Sequence, residues 1–332
     1  MSGATEVTDP RSSPLSLAAA RRLFRDRPFI PLLILLGFLI LINEIASPGI
    51  VSAEWVSVML RAAVPLAILA GCQTLTMLTG GIDLSVSAVA SMSGFLVATL
   101  VTGPGVPAGI VIALAAAALA GLVTGIGVGV FRVHPLIMTL GMSLVVLGLA
   151  NAWQLQMVQT NAGVPPALRA VGSQVVFGVL PYSLAVFIPL AVVILIALRR
   201  TGYGRLLFAI GDNPIAARLA GARSWQILIV LYVISALMAG VAGFLYSGYT
   251  NVASVSLVDS QLLPSVAAAV IGGTSILGGR GGYGGTIVGA LILTVIGSLL
   301  SSLGYPEAVR QVLFGAIIVA VAAAYTRVTD ES

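Results

Sequence analysis

The sequence predicts an all-α protein, a polytopic helical bundle that crosses a membrane about ten times. Composition, the spacing of apolar runs and the placement of arginine carry that expectation. Of 332 residues, 58% are hydrophobic and only 8% charged, with a mean hydropathy of +1.10. Soluble domains carry about 25% charged residues. Ten apolar runs approach the roughly twenty residues that cross a bilayer. They fall near 29–47, 58–79, 85–102, 106–130, 135–153, 181–199, 225–249, 260–274, 283–303 and 308–326.

Taken in order, residues 1–28 form a polar tail with Arg11, Arg21, Arg22, Arg25 and Arg27. The apolar run after it exceeds a signal-peptide core and lacks a convincing cleavage site, so it reads as a retained first crossing. Turn signals separate the crossings that follow: Ser47-Pro48-Gly49, Thr79-Gly80-Gly81, Gly103-Pro104-Gly105 and Leu180-Pro181. The longest external segment, 154–180, is semi-polar with Pro165-Pro166, and predicts a short re-entrant or surface helix. The eighth run is short and interrupted by Pro264. Glycines at small-residue spacing, Gly121, Gly125 and Gly129 or Gly285 and Gly289, suit close helix packing in lipid. The membrane domain spans 29–326, a second tail covers 327–332, and no soluble domain is visible.

Arginine orients this arrangement. With the N-terminus inside, thirteen of the sixteen arginines fall on the cytoplasmic side: the five of the tail, Arg132, Arg199, Arg200, Arg205, Arg218, Arg223, Arg280 and Arg327. Arg61, Arg169 and Arg310 remain outside. Such asymmetry fits the positive-inside rule and an even number of crossings, with both termini cytoplasmic. Eight crossings would satisfy the same parity.

The same residues exclude whole classes of activity. All sixteen basic residues are arginine, so no P-loop lysine exists and the chain is no Walker-type ATPase. The sequence pI of about 9.8 reflects arginines at membrane edges rather than nucleic-acid binding. Cys72 is the single cysteine and His134 the single histidine, which leaves neither a disulfide nor a metal cluster. Ionisable groups in mid-membrane are scarce, so an ion-driven carrier lacks its usual pathway residues. No nucleophile–base pair can be assembled either, and no residue is assigned as catalytic.

Three stretches stand out. In Thr79-Gly80-Gly81-Ile82-Asp83-Leu84-Ser85, two glycines permit a tight backbone. Asp83 or Ser85 there serves as the cap of the next helix, or Asp83 pairs with an arginine such as Arg280 across a hinge. The second turn, Gly272–Gly285, holds Gly278, Gly279 and Arg280; it resembles a phosphate loop only in composition, having no lysine and no preceding strand. Both turns lie on the inner face, six crossings apart, and leave a parallel internal repeat open. In the basic loop after Arg199, Asn213 caps, Pro214 starts and Gly221 ends a short helix, roughly 215–220. Among polar residues inside crossings, Gln73, Ser91, Ser93, Asn151, Trp153, Gln154, Tyr249 and Asn251 are either interhelical hydrogen-bonding groups or the lining of a path for a neutral, hydroxyl-rich solute.

Four of these stretches, LTGGIDLSVSAVASMSG at 78–94, HPLIMTLGMSLVVLGLA at 134–150, TGYGRLLFAIGDNPIAARLAGA at 201–222 and GGTSILGGRGGYGGTIVGA at 272–290, resemble the permease subunits of ribose-type, or monosaccharide, ABC importers. The resemblance implies a lipid-embedded subunit that pairs with a second copy or close relative. Two cytoplasmic ATPase subunits, which bind the ATP, and an extracytoplasmic solute-binding protein complete the assembly. It further implies that 200–224 is the coupling loop, with Arg205, Gly211, Asp212, Asn213, Pro214, Ala216, Ala217, Arg218 and Gly221 at the ATPase contact. Gly80, Gly81, Asp83, Ser85, Gly278, Gly279 and Arg280 are then gate or hinge residues. Two positions depart from the family pattern: Ser87 replaces a common glycine, and Leu147 a frequent arginine before Gly-Leu-Ala. A nucleoside, a sugar-derived signal or a branched-chain amino acid stays open as cargo, and so does a stand-alone carrier.

Overall fold

A computed structural model describes residues 29–101, 103–157 and 163–330, with side chains described to Ala320. The tail expected at 1–28 and the last two residues lie outside this range. Among the described residues the chain is helical almost throughout, with one two-stranded hairpin at Val175–Val176 and Leu180–Pro181. In chain order the helices are α1 (Phe29–Ala46), α2 (Ala53–Met77), α3 (Val86–Leu100), α4 (Val106–Gly129) and α5 (Pro135–Gln156). Next come the surface helix α6 (Pro166–Ser173), α7 (Ser183–Arg200), α8 (Gly202–Asp212), α9 (Pro214–Leu219) and α10 (Ser224–Thr250). The chain closes with α11 (Leu262–Ile271), α12 (Tyr283–Ser302) and α13 (Glu307–Asp330). Each of the ten apolar runs coincides with a helix. Six of these, α2, α4, α5, α7, α10 and α12, are long and apolar enough to cross a bilayer on their own.

Local chemistry starts several of them. Ser52 caps α2 by accepting from the Trp55 amide at 3.2 Å, and Glu54 complements the first-turn dipole. His134 precedes Pro135 at the first position of α5, where a missing N–H costs nothing. Thr201 accepts from the Gly204 amide at 3.2 Å and starts α8, a helix between Arg200 and Asn213 that the sequence reading does not anticipate. α13 runs through Asp330 rather than ending before a tail at 327.

The core is built around the second half of α2, buried continuously from Ala63 to Leu78, with α10 and α12 against it. Tyr283 of α12 donates to the Ala67 carbonyl at 3.1 Å, deep in the bundle. α10 also lies along α4, whose Gly121, Gly125 and Gly129 stripe makes the approach possible. A Cβ at Gly125 would stand 2.6 Å from the Ile229 Cα, and one at Gly129 would stand 2.8 Å from the Trp225 carbonyl. Without lipid-excluded hydrophobic area to drive association, this backbone-level fit is what joins helices in a bilayer.

Two apolar helices are too short for a crossing. At 1.5 Å per residue, α3 and α11 reach roughly 22 and 15 Å against a hydrocarbon core of about 30 Å. Their remaining depth is covered by non-helical chain, which in a membrane must be buried in protein or line a cavity. Residues 251–261, which end in a 3-10 turn at Asp259–Gln261, are anchored at two points: Val255 and Val258 are buried, and the Val258 amide donates to Ser91 of α3 at 2.9 Å. The order of lengths, long α2 then short α3 but short α11 then long α12, does not follow the parallel repeat left open by the two glycine turns.

Replacing Gly125 by Val should lower the melting temperature of the detergent-solubilised protein, since forced separation of packed surfaces costs about 1–3 kcal/mol. Gly148→Val, where a Cβ meets nothing within 4 Å, should leave it unchanged. Equal loss in both variants would contradict this account of the α4–α10 contact.

Candidate functional site at the coupling joint and the opposite cavity

Three segments far apart in sequence converge where α2 and α8 end and α12 begins. The Gly279 amide donates to the Leu78 carbonyl at 3.1 Å, joining the two glycine-rich turns directly. Gly211, in the last turn of α8, is wedged against both. A Cβ on it would collide with the Leu78 carbonyl and stand 2.5 Å from the Gly279 nitrogen. Gly278 faces Gly211 and the Gly80 nitrogen, and Gly279 faces Asp212. Gly80, Gly278 and Gly279 all have positive φ, at 77°, 95° and 70°, a region costly for side chains other than glycine. Of the residues expected as coupling loop and as gate, Gly211 and Asp212 therefore meet Gly80, Gly278 and Gly279 at one joint.

The first turn is held from three further directions. Gln73 of α2 forms a two-way clamp, its Nε2 donating to the Asp83 carbonyl at 2.8 Å and its Oε1 accepting the Asp83 amide at 3.2 Å. Thr139 of α5 accepts the Leu84 amide at 3.1 Å and donates to the Ile82 carbonyl at 3.2 Å. Ser235 of α10 donates to the Asp83 carboxylate at 3.1 Å, while Ser85 donates to its other oxygen through both amide and hydroxyl, at 2.9 and 2.6 Å. Asp83 thus ties the entrance of α3 to α10. It stands in the turn, outside the helical spans. Burial raises its carboxyl above the usual range, and the Ser85 and Ser235 donors oppose that rise.

This geometry corrects the alternative in which Asp83 pairs with Arg280. Asp83 points inward at 2% exposure, whereas Arg280 is exposed and, among the described residues, has no carboxylate in ion-pair range. Three hydroxyl and amide donors occupy the carboxylate instead. Ser85 precedes α3 as its N-terminal flank but makes no side-chain cap. Gly81 packs against Pro135 and the Tyr232 hydroxyl. Thr139 and Ser235 were not singled out by sequence, because a hydroxyl in an apolar helix carries no positional signal.

Beyond the joint, α9 projects as a short capped helix. Asn213 accepts from the Ile215 and Ala216 amides at 3.1 and 2.9 Å, and Pro214 occupies the first helical position. The helix ends as predicted at Gly221, with φ of 88°, and Arg218 stands in its last turn. Its free face carries Ile215 at 63% and Leu219 at 85% exposure, with Ala216 beside them; these apolar groups were not foreseen as the presented surface. Ala217 instead faces the protein's own core and is buried. Arg205 and Asp212 are exposed on α8.

At the other end of the bundle, where α2 begins and α10 and α12 finish, a cavity of about 440 Å³ opens. That is within the usual small-molecule range of about 300–1,000 Å³. Its walls include Met59, Tyr246, Tyr249, Gln261, Ser298 and the Glu307–Arg310 pair, whose atoms lie 2.8 Å apart. Tyr246 and Tyr249 meet edge to face with centroids 6.3 Å apart, and Gln261 donates to the Tyr246 hydroxyl at 3.2 Å. Gln261 reaches the cavity from a short 3-10 turn, Asp259–Gln261, that directly precedes α11.

Of the eight polar residues read from the sequence as candidates for a pathway, Tyr249 lines this cavity and the other seven do not. Gln73 is consumed by the Asp83 turn. Ser93 is buried and donates to its own helix at Val89. Asn151 is exposed and bonds the Leu147 carbonyl at 2.9 Å, Trp153 donates to Thr99 at 3.0 Å, and Asn251 ends α10 in a left-handed conformation. Ser91 contributes indirectly, by holding the segment that delivers Gln261.

A bundle of membrane-length apolar helices, with an apolar helix exposed at one end and a cavity at the other, is consistent with a membrane permease. The model of the family described as branched-chain amino acid transport system / permease component matches residues 56–322, and the chain belongs to that family. Among its relatives are the fructose import permease protein of Rhizobium meliloti, 32% identical over 87% of this chain and 82% of its own. The galactofuranose transporter permease protein of Escherichia coli is 31% identical over 94% and 93%, and the ribose import permease protein of the same organism 33% identical over 76% and 79%. No solved structure matches the chain.

Asn213→Ala should remove about 1 kcal/mol from α9, typical of a lost N-cap. Hydrogen exchange of the 215–219 amides should then quicken about fivefold while α10 keeps its protection. Unchanged exchange in 215–219 would contradict the capping role.

Proposed function

We propose that this chain is the membrane-spanning subunit of an ATP-driven importer and carries a monosaccharide or related polyol across the cytoplasmic membrane. The carrying observation is the joint at Gly211. It connects the end of α8, directly ahead of α9 in the chain, by backbone contact to the turns that lead into α3 and α12. Force applied to α9 from outside the chain therefore acts on helices that run to the opposite cavity. In this reading both termini and α9 face the cytoplasm, ATP is bound by separate ATPase subunits, and Ile215 and Leu219 seat in one of them. An extracytoplasmic solute-binding protein delivers cargo to the cavity end, and a second permease copy completes the pore.

Cargo chemistry follows from the cavity walls. Two tyrosine rings offer flat faces, while Gln261, Ser298 and Ser301 offer neutral donors and acceptors. Glu307 and Arg310 neutralise each other. A polyhydroxylated ring uses all of these without bringing charge, whereas a zwitterionic amino acid would have to break that pair. The relatives named for fructose, galactofuranose and ribose point the same way.

The test is uptake of labelled fructose, ribose and galactose by proteoliposomes holding the permease, its ATPase subunits and the binding protein. Uptake should require ATP. Gly211→Val should reduce it at least about tenfold with the ATPase subunits still bound, because the wedged backbone cannot accommodate a side chain. Tyr249→Ala should raise the concentration of solute needed for half-maximal uptake. ATP-independent uptake by the permease alone would contradict the proposal and indicate a free-standing carrier.

A further inference from the structure

A second cavity lies beside α9, on the face opposite the solute cavity. Its volume is about 560 Å³, and it is framed by the end of α4, the end of α8, the start of α9 and the start of α10. Arg132, Arg218 and Arg223 line it. Among the described residues none of the three has a carboxylate in ion-pair range, so three guanidinium groups surround one space without a counter-charge. The Ser224 hydroxyl at its edge is buried with no hydrogen-bond partner. Its remaining wall is apolar: Val128, Val130, Ile210, Trp225 and Leu228. Val130 is 49% exposed and Trp225 47% exposed, so this wall continues onto the outer surface of membrane-crossing helices. Tryptophan at that level is the residue type that marks a membrane–water boundary.

Charge and apolar surface together define the occupant. A soluble anion would satisfy the arginines but leave the wall bare. A carboxylate from a docked protein would approach from the water side, away from α4 and α10. An anionic headgroup with acyl chains satisfies both, and basic pockets between helices at the cytoplasmic face recognise such headgroups. Guanidinium groups also hold phosphate oxygens through paired N–H donors.

We propose that this cavity seats the phosphate of an acidic phospholipid from the inner leaflet. The bound lipid then bridges the α4–α5 turn, through Arg132, to α9, through Arg218, and braces the helix that the ATPase must push. The inference rests on the cytoplasmic placement of α9 argued above, but its test reads lipid rather than transport.

The experiment uses the full permease with its ATPase subunits, extracted from nanodiscs of phosphatidylcholine mixed with phosphatidylglycerol. Native mass spectrometry counts the lipids retained. Wild type should keep phosphatidylglycerol selectively. The double variant Arg132→Gln, Arg223→Gln should lose it roughly thirtyfold, as expected for two basic contacts near the surface. Arg199→Gln with Arg200→Gln removes the same charge from the same side outside this cavity, and should retain the lipid. Both variants are first matched for thermal unfolding. Equal loss in the two variants, or equal retention, would overturn the proposal. So would displacement of the lipid by millimolar inorganic phosphate or by adding ATPase subunits to the permease alone. If wild type fails to import solute yet keeps the lipid through Arg132 and Arg223, the transport reading falls and the lipid site stands.

Discussion

One backbone contact governs the rest of this molecule. α8 can reach the two glycine turns only because Gly211 has no side chain, so the Leu78 carbonyl, the Gly279 amide and the α8 backbone share one point. A methyl group there would push apart segments about seventy and one hundred and thirty residues away in sequence. Van der Waals packing at this distance falls off steeply, so a joint of this kind is either seated or lost. That makes it suited to passing displacement rather than absorbing it.

The turns on either side of the joint are anchored by different means. The first is fixed by Gln73, Thr139 and Ser235, which tie it to α2, α5 and α10. The second is positioned by Ser275, whose amide donates to the Arg280 carbonyl at 2.9 Å, and by its bond to Leu78. Buried polar groups in an apolar bundle cost several kcal/mol when unpaired, so each satisfied bond also selects one arrangement over its neighbours. Displacing α8 therefore acts on helix ends, while the hydrogen-bonded interiors of α2 and α10 stay intact. The cavity bounded by Tyr246, Tyr249 and Gln261 lies at the far ends of those same helices.

Much of this was legible in the chain. Ten apolar runs mark ten helices, because hydrocarbon admits little else. Asn213, Pro214 and Gly221 frame α9 through cap chemistry that acts within a few residues. The glycine turns were also visible, since positive φ and close approach leave a compositional trace. What remained hidden depends on contacts distant in sequence. For Asp83 the sequence leaves open a helix cap or a cationic partner, and its carboxylate partners are Ser85 and Ser235. Gln73 looked like a pathway amide and is a clamp. α8 escaped notice because Gly202, Gly204 and Gly211 lower its helical propensity, and Thr201 and tertiary packing override them. Tyr249 is legible as a polar group near the end of a crossing, whereas Tyr246 and Gln261 sit in apolar runs whose periodicity does not distinguish a cavity wall from a core.

The central claim is that α9 and the glycine turns move as one body relative to the cavity end. Spin labels measure this directly in the proposed complex with ATPase subunits, one pair at Ala220 and Leu277 and another at Ala220 and Val252. On adding ATP the first distance should stay constant while the second changes. A first distance that shifts while the second holds would mean that α9 slides over the turns, and the transmission described here would be wrong.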